Sequence, residues 1–421
     1  MLTALLFCLS ADPAWPRVFG PDLTRGAAVT DADVPVTWSE TQNVRWKAPV
    51  AGTGWSSPVV LGGRIYVTTA VPQTEVQSTT DKATRSLRLI GLNAETGETE
   101  VDAEVFTQPP GDLVEIHGKN SHASPTPLVV GGDLVVHFGP HGTARVRPDG
   151  EVVWRATVPP YAAQHGNGGS PELFGDVLVV CCDGRDEQFV VGLSAETGEL
   201  LWRTDRGLDP GRGFSFGTPV PIEVDGERLA VCQGSGAVMA LDPQTGAEVW
   251  RVRYGEGYSV VPRPAYDAAT QTLYVCSGFG DKSLYAVDVT GTGDVTDTHV
   301  KWSTDQQVPQ SPTPVLVGDR IYMASDRGVL TCLDAADGTA VFRQRLGGNF
   351  SASPLYTSAG GGRMYWSDES GKTTVIAAAD EYKELAVNEV GVGPTRLYAT
   401  FAVFGDDLIL RTDKAMYRIG R

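Results

Sequence analysis

The sequence has no excess of basic residues. Its 421 residues include 34 lysines and arginines against 51 aspartates and glutamates, which gives a net charge of −17. Nucleic-acid-binding domains usually carry a basic patch or stripe, so this balance argues against nucleic acid as a partner. The negative charge favours neutral or cationic partners instead. No apolar run reaches 18 residues, so no transmembrane segment is predicted.

The sequence also lacks signals for a catalytic or metal site. It has no C-x-x-C-H haem motif, and no order of Ser, His and Asp commits these residues to a catalytic triad. His117 and His122 are five residues apart, which is no recognised metal-ligand spacing. The stretch GTGDVTDTH (291–299) departs from the EF-hand pattern, and an outer hairpin turn explains it equally well. We therefore predict no catalytic residue and no bound metal.

The first nine residues, MLTALLFCL, are apolar and are followed by Ser-Ala-Asp. This pattern resembles the core of a secretory signal peptide and predicts a leader over residues 1–11. Export to the periplasm or cell envelope would follow, whereas a misplaced start codon or a frayed tail are the alternatives. Lipidation at Cys8 is disfavoured because Phe7 is not the small residue that precedes such a site.

A pattern recurs along the chain at intervals of 40–55 residues. Each copy has a polar residue, a turn around Thr-Gly or Asp-Gly, and a short run that ends in a bulky residue. Clear copies are NAETGETEV (93–101), SAETGELLW (194–202), DPQTGAEVW (242–250) and DAADGTAVF (334–342). The bulky positions are Trp46, Val101, Trp154, Trp202, Trp250, Trp302, Phe342 and Leu385. This period is typical of stacked supersecondary units, none of which buries its apolar face alone.

A second series of segments lies between these copies and has the pattern of β-hairpins. Examples are SSPVVLGGRIYVTT (56–69), SPTPLVVGGDLVVHF (124–138) and SPTPVLVGDRIYMAS (311–325), and the chain has eight in all. Each combines a short apolar strand, a turn containing Gly or Asp, and a β-branched or aromatic strand. Each repeat unit therefore has four strands, a to d. The sequence predicts an all-β fold, an eight-bladed β-propeller of four-stranded antiparallel blades, with seven blades or an open array as alternatives.

The two ends of the repeat series predict how the ring closes. The series begins with a single d-type strand at 43–49 and ends with strands a, b and c within 398–419. The N-terminal strand can therefore complete the C-terminal blade, so that residues 43–421 form one propeller domain. Residues 12–42 are predicted to be an irregular segment that Trp15 and Trp38 pin across the ring. A flexible linker is the alternative.

The repeat resembles that of a known superfamily. The copies ALDPQTGAEVW (240–250), GLSAETGELLW (192–202) and CLDAADGTAVF (332–342) are similar to the tryptophan-docking repeat of PQQ-like propellers, A-x-D-x-x-T-G-x-x-x-W. That superfamily includes quinoprotein alcohol dehydrogenases and BamB-type proteins. The resemblance implies that one aromatic side chain per blade docks on the neighbouring blade. The implied docking residues are Trp46, Trp154, Trp202, Trp250, Trp302 and Phe342.

The resemblance leaves two functions open, because a fold does not determine a function. A BamB-type protein would be an exported, non-catalytic binding or scaffold protein, a monomeric ring without a cofactor. A quinoprotein would be a dehydrogenase that holds PQQ with Ca²⁺ and uses an aspartate as a base. The Glu, Asn and Asp of such a site cannot be matched residue by residue here. We therefore predict the binding protein, with the PQQ- and Ca²⁺-dependent dehydrogenase as the alternative.

The pair Cys181-Cys182 bears on this choice, because quinoprotein alcohol dehydrogenases often carry a vicinal disulfide against the cofactor. When the b strands are aligned, Cys181 coincides with Cys232 and Cys276, as a small residue of a buried strand does. Equivalent positions on adjacent blades are usually too far apart for a disulfide. We therefore expect free, buried thiols.

The candidate site lies where the d–a and b–c loops meet at one mouth of the central channel. These loops are rich in polar and aromatic residues, which predicts a binding site for a protein partner or a small ligand. Loops that are polar only because they face water are the alternative. A further histidine that could reach this face is His141. The predicted binding residues are Trp55, His117, Asn120, His122, His165, Asn167, Asp183, Arg185, Tyr258, Arg263, Gln310 and Asn349.

Overall fold

Short runs of alternating and apolar residues, each bounded by Gly- or Asp-containing turns, form antiparallel strands throughout the chain. The computed structural model describes residues 15–73, 83–109, 116–391 and 395–421. The predicted leader and Cys8 lie outside these residues. The described helices are Gly139–His141, Thr296–His299 and Ala359–Gly361. None of the helices within these ranges is long and apolar enough to cross a membrane.

Eight four-stranded antiparallel blades follow one another along the chain. The strands of blades 1 to 4, in the order a to d, are Val59–Leu61, Arg64–Pro72, Arg85–Asn93 and Thr99–Gln108; Leu128–Val130, Asp133–His137, Thr143–Val146 and Val152–Ala156; Glu172–Phe174, Val177–Asp183, Gln188–Ser194 and Leu200–Asp205; Val220–Val224, Glu227–Gln233, Ala237–Leu241 and Glu248–Arg253. Those of blades 5 to 8 are Ala265–Asp267, Thr272–Cys276, Leu284–Asp288 and Val300–Thr304; Val315–Val317, Arg320–Ala324, Val329–Asp334 and Ala340–Arg345; Leu355–Thr357, Arg363–Ser367, Lys372–Ala377 and Glu384–Glu389; Ala402–Phe404, Asp407–Arg411, Ala415–Ile419 and Val44–Pro49.

The ring closes in blade 8, where Val44–Pro49 pairs antiparallel with Ala415–Ile419. The a strands of neighbouring blades contact one another around the centre, whereas the d strands alternate between buried and exposed residues and form the outer edge. The predicted eight-bladed propeller, the four-stranded blades and the closure by the N-terminal strand are therefore confirmed.

The N-terminal segment runs through the middle of the ring along the a strands. The carbonyl of Trp15 accepts a hydrogen bond from the Val60 amide of blade 1, and that of Arg25 accepts one from Leu316 of blade 6. The segment is not wholly irregular, because Ala28–Thr30 forms a parallel strand on the inner edge of blade 7. Trp15 and Trp38 are both buried. The central channel is therefore filled at this level by the protein's own chain, which we call the channel plug (residues 15–30).

Four tryptophans of d strands pack against the glycine of the next blade's c–d turn. A Cβ atom at any of these glycines would collide with the indole ring, and each glycine has a positive φ. Three of the indole nitrogens also donate a hydrogen bond to a backbone carbonyl of the next blade, at 2.9 to 3.2 Å. Glycine is therefore required here for both conformation and space. The four pairs are Trp46–Gly97, Trp154–Gly198, Trp202–Gly246 and Trp302–Gly338.

Trp250 is covered in a different way, because the c–d connection of blade 5 carries the insertion 291–299. Its segment Gly293–Asp294 adds a parallel strand to the outer edge of blade 4, opposite Trp250 and Arg251. Trp250 is consequently fully buried, whereas the d-strand residue Leu385 of blade 7 is 37% exposed. Phe342 of blade 6 contacts the ring of Tyr382 on blade 7. The outer hairpin expected for 291–299 is thus an added edge strand.

The cysteines Cys181, Cys182, Cys232, Cys276 and Cys332 are free and buried in the described part of the chain. Cys181 of blade 3 and Cys232 of blade 4 belong to one apolar cluster between these blades. A hydrogen bond from Cys181 and burial raise the pKa of the Cys232 thiol well above its ordinary value. The two thiols therefore interact across the blades, and both are free, as expected for equivalent positions on adjacent blades.

His137 at the end of a b strand in blade 2 makes stability depend on pH. It is fully buried, its Nδ1 lies 2.9 Å from the Thr143 hydroxyl, and burial lowers its pKa to about 4. The unfolded chain binds a proton here below about pH 6.5, whereas the folded protein does not until about pH 4. As the pH falls from about 6.5 to about 4, we therefore expect His137 to lower the free energy of unfolding by about 3 kcal/mol.

Denaturant titrations of the wild type and His137→Gln at several pH values measure this effect. The difference between the two proteins isolates His137, since all carboxylates are common to both. Parallel curves from pH 7 to 4 would contradict the assignment.

Candidate functional site

A cavity of about 390 Å³ opens at the mouth of the central channel. All eight connections from a d strand into the next a strand contribute to its lining, so it lies on the ring axis. Val18 and Phe19 of the channel plug also line it and form its floor. A concave site of this size, with apolar walls and a few polar groups, is the usual form of a ligand site.

Hydroxyl side chains form a ring of hydrogen bonds beneath this mouth. In seven of the eight connections a Ser or Thr stands before the a strand, and six of these are followed by proline. Each hydroxyl accepts a hydrogen bond from the backbone amide at the equivalent position of the preceding blade. The bonds, 2.9 to 3.2 Å long, are Ser57–Thr126, Thr126–Ser170, Ser170–Thr218, Arg263–Thr313, Thr313–Ser353, Ser353–Thr400 and Thr400–Ser57, with the amide donor first.

Arg263 occupies the eighth position of this hydroxyl ring. An arginine side chain has donors but no acceptor, so it cannot accept a hydrogen bond from the Thr218 amide. In seven blades the side chain at this position thus accepts a hydrogen bond from a neighbouring blade, whereas blade 5 joins blade 6 here only through the Arg263 amide. Arg263 is only 2% exposed, yet it is one of the residues that line the cavity.

The charges around Arg263 do not balance. Glu172 of blade 3, which is 1% exposed, is bound at 2.6 Å by Arg17 of the channel plug. Arg263 Nη2 lies 4.0 Å from the other oxygen of the same carboxylate. Burial lowers the pKa of Arg263 to about 10, which leaves it charged at neutral pH. Two guanidinium groups therefore share one carboxylate, and the other nearby acid, Asp22 of the plug, pairs with Arg25. The three arginines thus exceed the two acids of this cluster by one charge.

Four aromatic side chains from blades 4 and 5, which we call the aromatic wall, line one side of the cavity. They are Phe214, Phe216, Tyr258 and Phe279. The ring centroids of Phe214 and Tyr258 are 5.7 Å apart, and those of Tyr258 and Phe279 are 6.3 Å apart. Arg212 at the rim donates a hydrogen bond of 2.6 Å to the Tyr258 hydroxyl. The wall offers apolar surface beside the polar ring.

Histidines from two further connections extend this wall. The ring of His165 lies 5.0 Å from that of Phe214 and 5.5 Å from that of His117. The carbonyl of His165 accepts hydrogen bonds from the His117 amide and the Asn120 side chain. His165 and Ser259, both in the lining, have positive φ angles of 65° and 51°. Such conformations cost of order 1–3 kcal/mol for residues with a Cβ and are common at binding sites.

The structure brings together half of the residues that the sequence predicts for the site. The predicted residues that line the cavity are Trp55, His117, Asn120, His165, Tyr258 and Arg263. The predicted residues outside the lining are His122, Asn167, Asp183, Arg185, Gln310 and Asn349, and the additional candidate His141 is also outside it.

Asp183 is the clearest departure from the expected arrangement. It is 4% exposed and forms a bidentate ion pair with Arg206, with Nε–Oδ1 and Nη2–Oδ2 distances of 2.6 and 2.8 Å. Both groups lie between blades 3 and 4, since Arg206 also donates to the carbonyls of Cys232 and Gln233. Asp183 therefore joins two blades, and its loop position does not place it at the mouth.

The other departures have equally local reasons. His122 is turned into the protein, where burial lowers its pKa to about 3. The side chain of Asn167 packs against Gly139. Arg185 and Asn349 are exposed, and the backbone amide of Gln310 donates to the Asp326 carboxylate. Loop membership alone cannot distinguish these orientations from those that face the axis.

Val18 and Phe19 were not predicted as lining residues, because the plug has no repeat pattern that would place it in the channel. Phe214 and Phe216 were not predicted either, although the stretch GFSFG (213–217) contains a signal for them. This stretch matches the G-x-S-x-G pattern of serine hydrolases, so Ser215 has to be considered as a nucleophile although none was expected. That pattern requires a strand–turn–helix context. Here it lies in a d–a loop, and Ser215 exchanges hydrogen bonds with the backbone of Val260.

The lining does not suit PQQ held by Ca²⁺. Calcium takes carboxylate and carbonyl oxygens as ligands, and the described residues that line the cavity include no Asp or Glu. No group of three or more His, Cys, Asp or Glu in the described chain is placed to hold a metal ion. Cys181 and Cys182 lie within blade 3 and are not part of the lining. The described lining thus offers no carboxylate to hold Ca²⁺ or to act as a base.

Comparisons with known proteins agree with this architecture. The family model described as outer membrane protein assembly factor BamB matches residues 20–185, 186–322 and 296–383. The BamB protein of Burkholderia pseudomallei (strain K96243) is 27% identical over 308 residues, which cover 71% of this chain and 68% of that protein.

Among solved structures, BamB from Moraxella catarrhalis superposes with a TM-score of 0.54 and 14% identity, covering 89% of this chain and 92% of that one. The C-terminal WD40 domain of Sif2 gives a TM-score of 0.56 with 10% identity, over 91% of this chain and 99% of that one. At these identities the two structures show a shared fold only.

Proposed function

Because the chain belongs to the BamB-type family of PQQ-like propellers, we propose that it is a non-catalytic, exported binding protein that uses the cavity at its channel mouth. One observation carries the proposal: the cavity combines an aromatic wall, a ring of hydroxyls and a buried arginine, and no carboxylate is present in its described lining. Such a surface can hold a ligand or a partner's side chain but offers no carboxylate to hold Ca²⁺ or to act as a base.

The family relation supports a more specific role. The curated relative is, by its name, an outer membrane protein assembly factor. By analogy, this chain would bind a protein partner in the cell envelope and assist the assembly of outer membrane proteins. The apolar N-terminal residues 1–9 support export.

Depletion of the protein in its source organism tests this role. We expect the protein in the envelope fraction of wild-type cells and reduced amounts of outer membrane proteins in depleted cells. Complementation with Tyr258→Ala, which removes part of the aromatic wall, should restore these amounts less well than the wild type does.

Tyr382→Ala is the matched control. Tyr382 is likewise a half-buried tyrosine, but it lies on blade 7 outside the cavity. Its complementation should equal that of the wild type, provided that both variants accumulate to the same level. Unchanged outer membrane proteins after depletion would contradict the assembly role. Dye-linked alcohol oxidation by the purified protein with PQQ and Ca²⁺ would contradict the non-catalytic role.

A further inference from the structure

Three arginines have exposed fractions of 2% or less, namely Arg206, Arg263 and Arg411. Burying a guanidinium group is costly unless its donors are satisfied and its charge is paired. Arg206 meets both needs within the protein, whereas Arg411 has hydrogen-bonded donors but no acidic partner among the described residues. Arg206 binds Asp183 with two hydrogen bonds, and Arg411 donates to the Ser56 hydroxyl and to the carbonyls of Ser56 and Thr68.

Arg263 is the exception. None of its three guanidinium nitrogens has a hydrogen-bond partner among the residues that the structure describes. The nearest acid, Glu172, is 4.0 Å away and already binds Arg17. The Phe19 ring of the plug lies 6.0 Å from the guanidinium carbon, which is a weak contact. Arg263 thus combines a buried charge and unused donors with a place in the cavity lining, which points to an anion supplied from outside.

The surroundings indicate the chemical class of that anion. A guanidinium group presents its donors as a planar fork, which matches the two oxygens of a carboxylate. The aromatic wall stands in the same cavity, and the d–a loop of blade 5 carries both Tyr258 and Arg263. Serine and threonine side chains from blades 6 and 7 line the cavity as well. A small inorganic anion would leave the aromatic wall without a contact.

We propose that the cavity binds an organic carboxylate, with the carboxylate group on Arg263 and an apolar body against the aromatic wall. This inference rests on the proposed binding role of the cavity and names its ligand class. The net charge of the protein is −17, so the site is a local exception to the general preference for neutral or cationic partners. The pairing with Arg263 gives the ligand a fixed orientation, with its carboxylate towards the plug.

Calorimetric titration with three defined probes tests the proposal. The probes are 3-phenylpropionate, its uncharged analogue 3-phenylpropionamide, and inorganic phosphate. We expect the wild type to bind the acid at least about tenfold more tightly than the amide, because only the acid pairs with Arg263. Phosphate should bind more weakly than phenylpropionate, since it cannot use the aromatic wall.

Arg263→Thr is the informative variant, because seven blades already carry Ser or Thr at this position. It removes the buried charge and supplies an acceptor for the Thr218 amide, while Arg17 still pairs with Glu172. We expect the preference for the acid over the amide to disappear and the thermal midpoint to stay equal or rise. Arg343→Thr, which removes an exposed arginine from the outer strand of blade 6, should retain the preference.

Arg263→Lys keeps the charge and tests the proposal even if Arg263→Thr does not fold. It should fold and should bind the acid less tightly than the wild type, because lysine lacks the fork. An acetylated tripeptide ending in leucine, with a free or amidated terminus, then distinguishes two sources of the carboxylate. Tighter binding of the free terminus than of phenylpropionate indicates a chain end, and weaker binding indicates a small acid.

Several results would overturn the inference. They are equal affinities of the wild type for acid and amide, absence of acid binding at about 10 mM, affinity for phosphate as high as for phenylpropionate, and an undiminished acid preference in Arg263→Thr. These titrations use the purified protein alone. A failure here would leave the depletion experiment untouched, so the two proposals can fail separately.

Discussion

Replacing Trp250 with alanine is expected to lower the free energy of unfolding by about 3–5 kcal/mol. The side chain is 0% exposed and belongs to the apolar cluster between blades 4 and 5. The edge strand Gly293–Asp294 lies over it and holds it from outside. Alanine would leave a void that the surrounding strands cannot fill, because both blades are fixed by their own ladders. Equilibrium denaturation of the two proteins measures the loss.

Val387→Ala provides the control for this experiment. Val387 is also an apolar residue of a d strand, in blade 7, but it is 51% exposed. Its replacement should change stability by less than about 0.5 kcal/mol. An equally small effect for Trp250→Ala would show that the insertion, and not the indole, holds the two blades together.

Replacing Asp183 with asparagine is expected to destabilise the protein by about 3–5 kcal/mol. The variant leaves Arg206 charged and buried between blades 3 and 4 without its carboxylate. The loss should come from this uncompensated charge more than from the absent hydrogen bonds, since asparagine keeps nearly the same shape. Denaturant unfolding near neutral pH measures the change.

The double variant Asp183→Leu with Arg206→Met tests that explanation. Removal of both charges should recover most of the stability, because an apolar pair of similar volume carries no desolvation cost. A double-mutant cycle then gives the coupling between the two residues. If the double variant is no more stable than Asp183→Asn, the carbonyl contacts of Arg206 matter more than its charge.

The sequence was sufficient to predict the ring because the same turn and strand patterns recur in the blades. The Thr-Gly turns and the bulky d-strand residues fix the number of blades, and the unpaired strand at 43–49 fixes how the ring closes. These features are local in the chain and occur in many copies. Trp250 is the exception, because it is covered by a strand and not by a c–d turn. The insertion 291–299 that supplies this strand was expected to form a turn.

The site was predictable only in part, because it depends on features that occur once. The alignment of the Ser-Pro and Thr-Pro entries contains the signal for Arg263, which stands where the other blades have a hydroxyl. Whether a loop side chain faces the axis or a neighbouring blade depends on contacts distant in sequence, as Asp183 and Arg206 show. The path of the plug could not be predicted from sequence, because its backbone hydrogen bonds with the a strands can be made by any residue, and the ion pair of Arg17 with Glu172 joins residues distant in sequence.

The threading of residues 15–30 through the ring has a consequence for biosynthesis. These residues are synthesised before all eight blades, yet their hydrogen-bond partners extend to blade 7, and the strand Val44–Pro49 pairs with Ala415–Ile419. The plug and this strand therefore cannot reach their final positions until the later blades have been made. During this interval unpaired strand edges are exposed, and such edges make folding intermediates prone to aggregation.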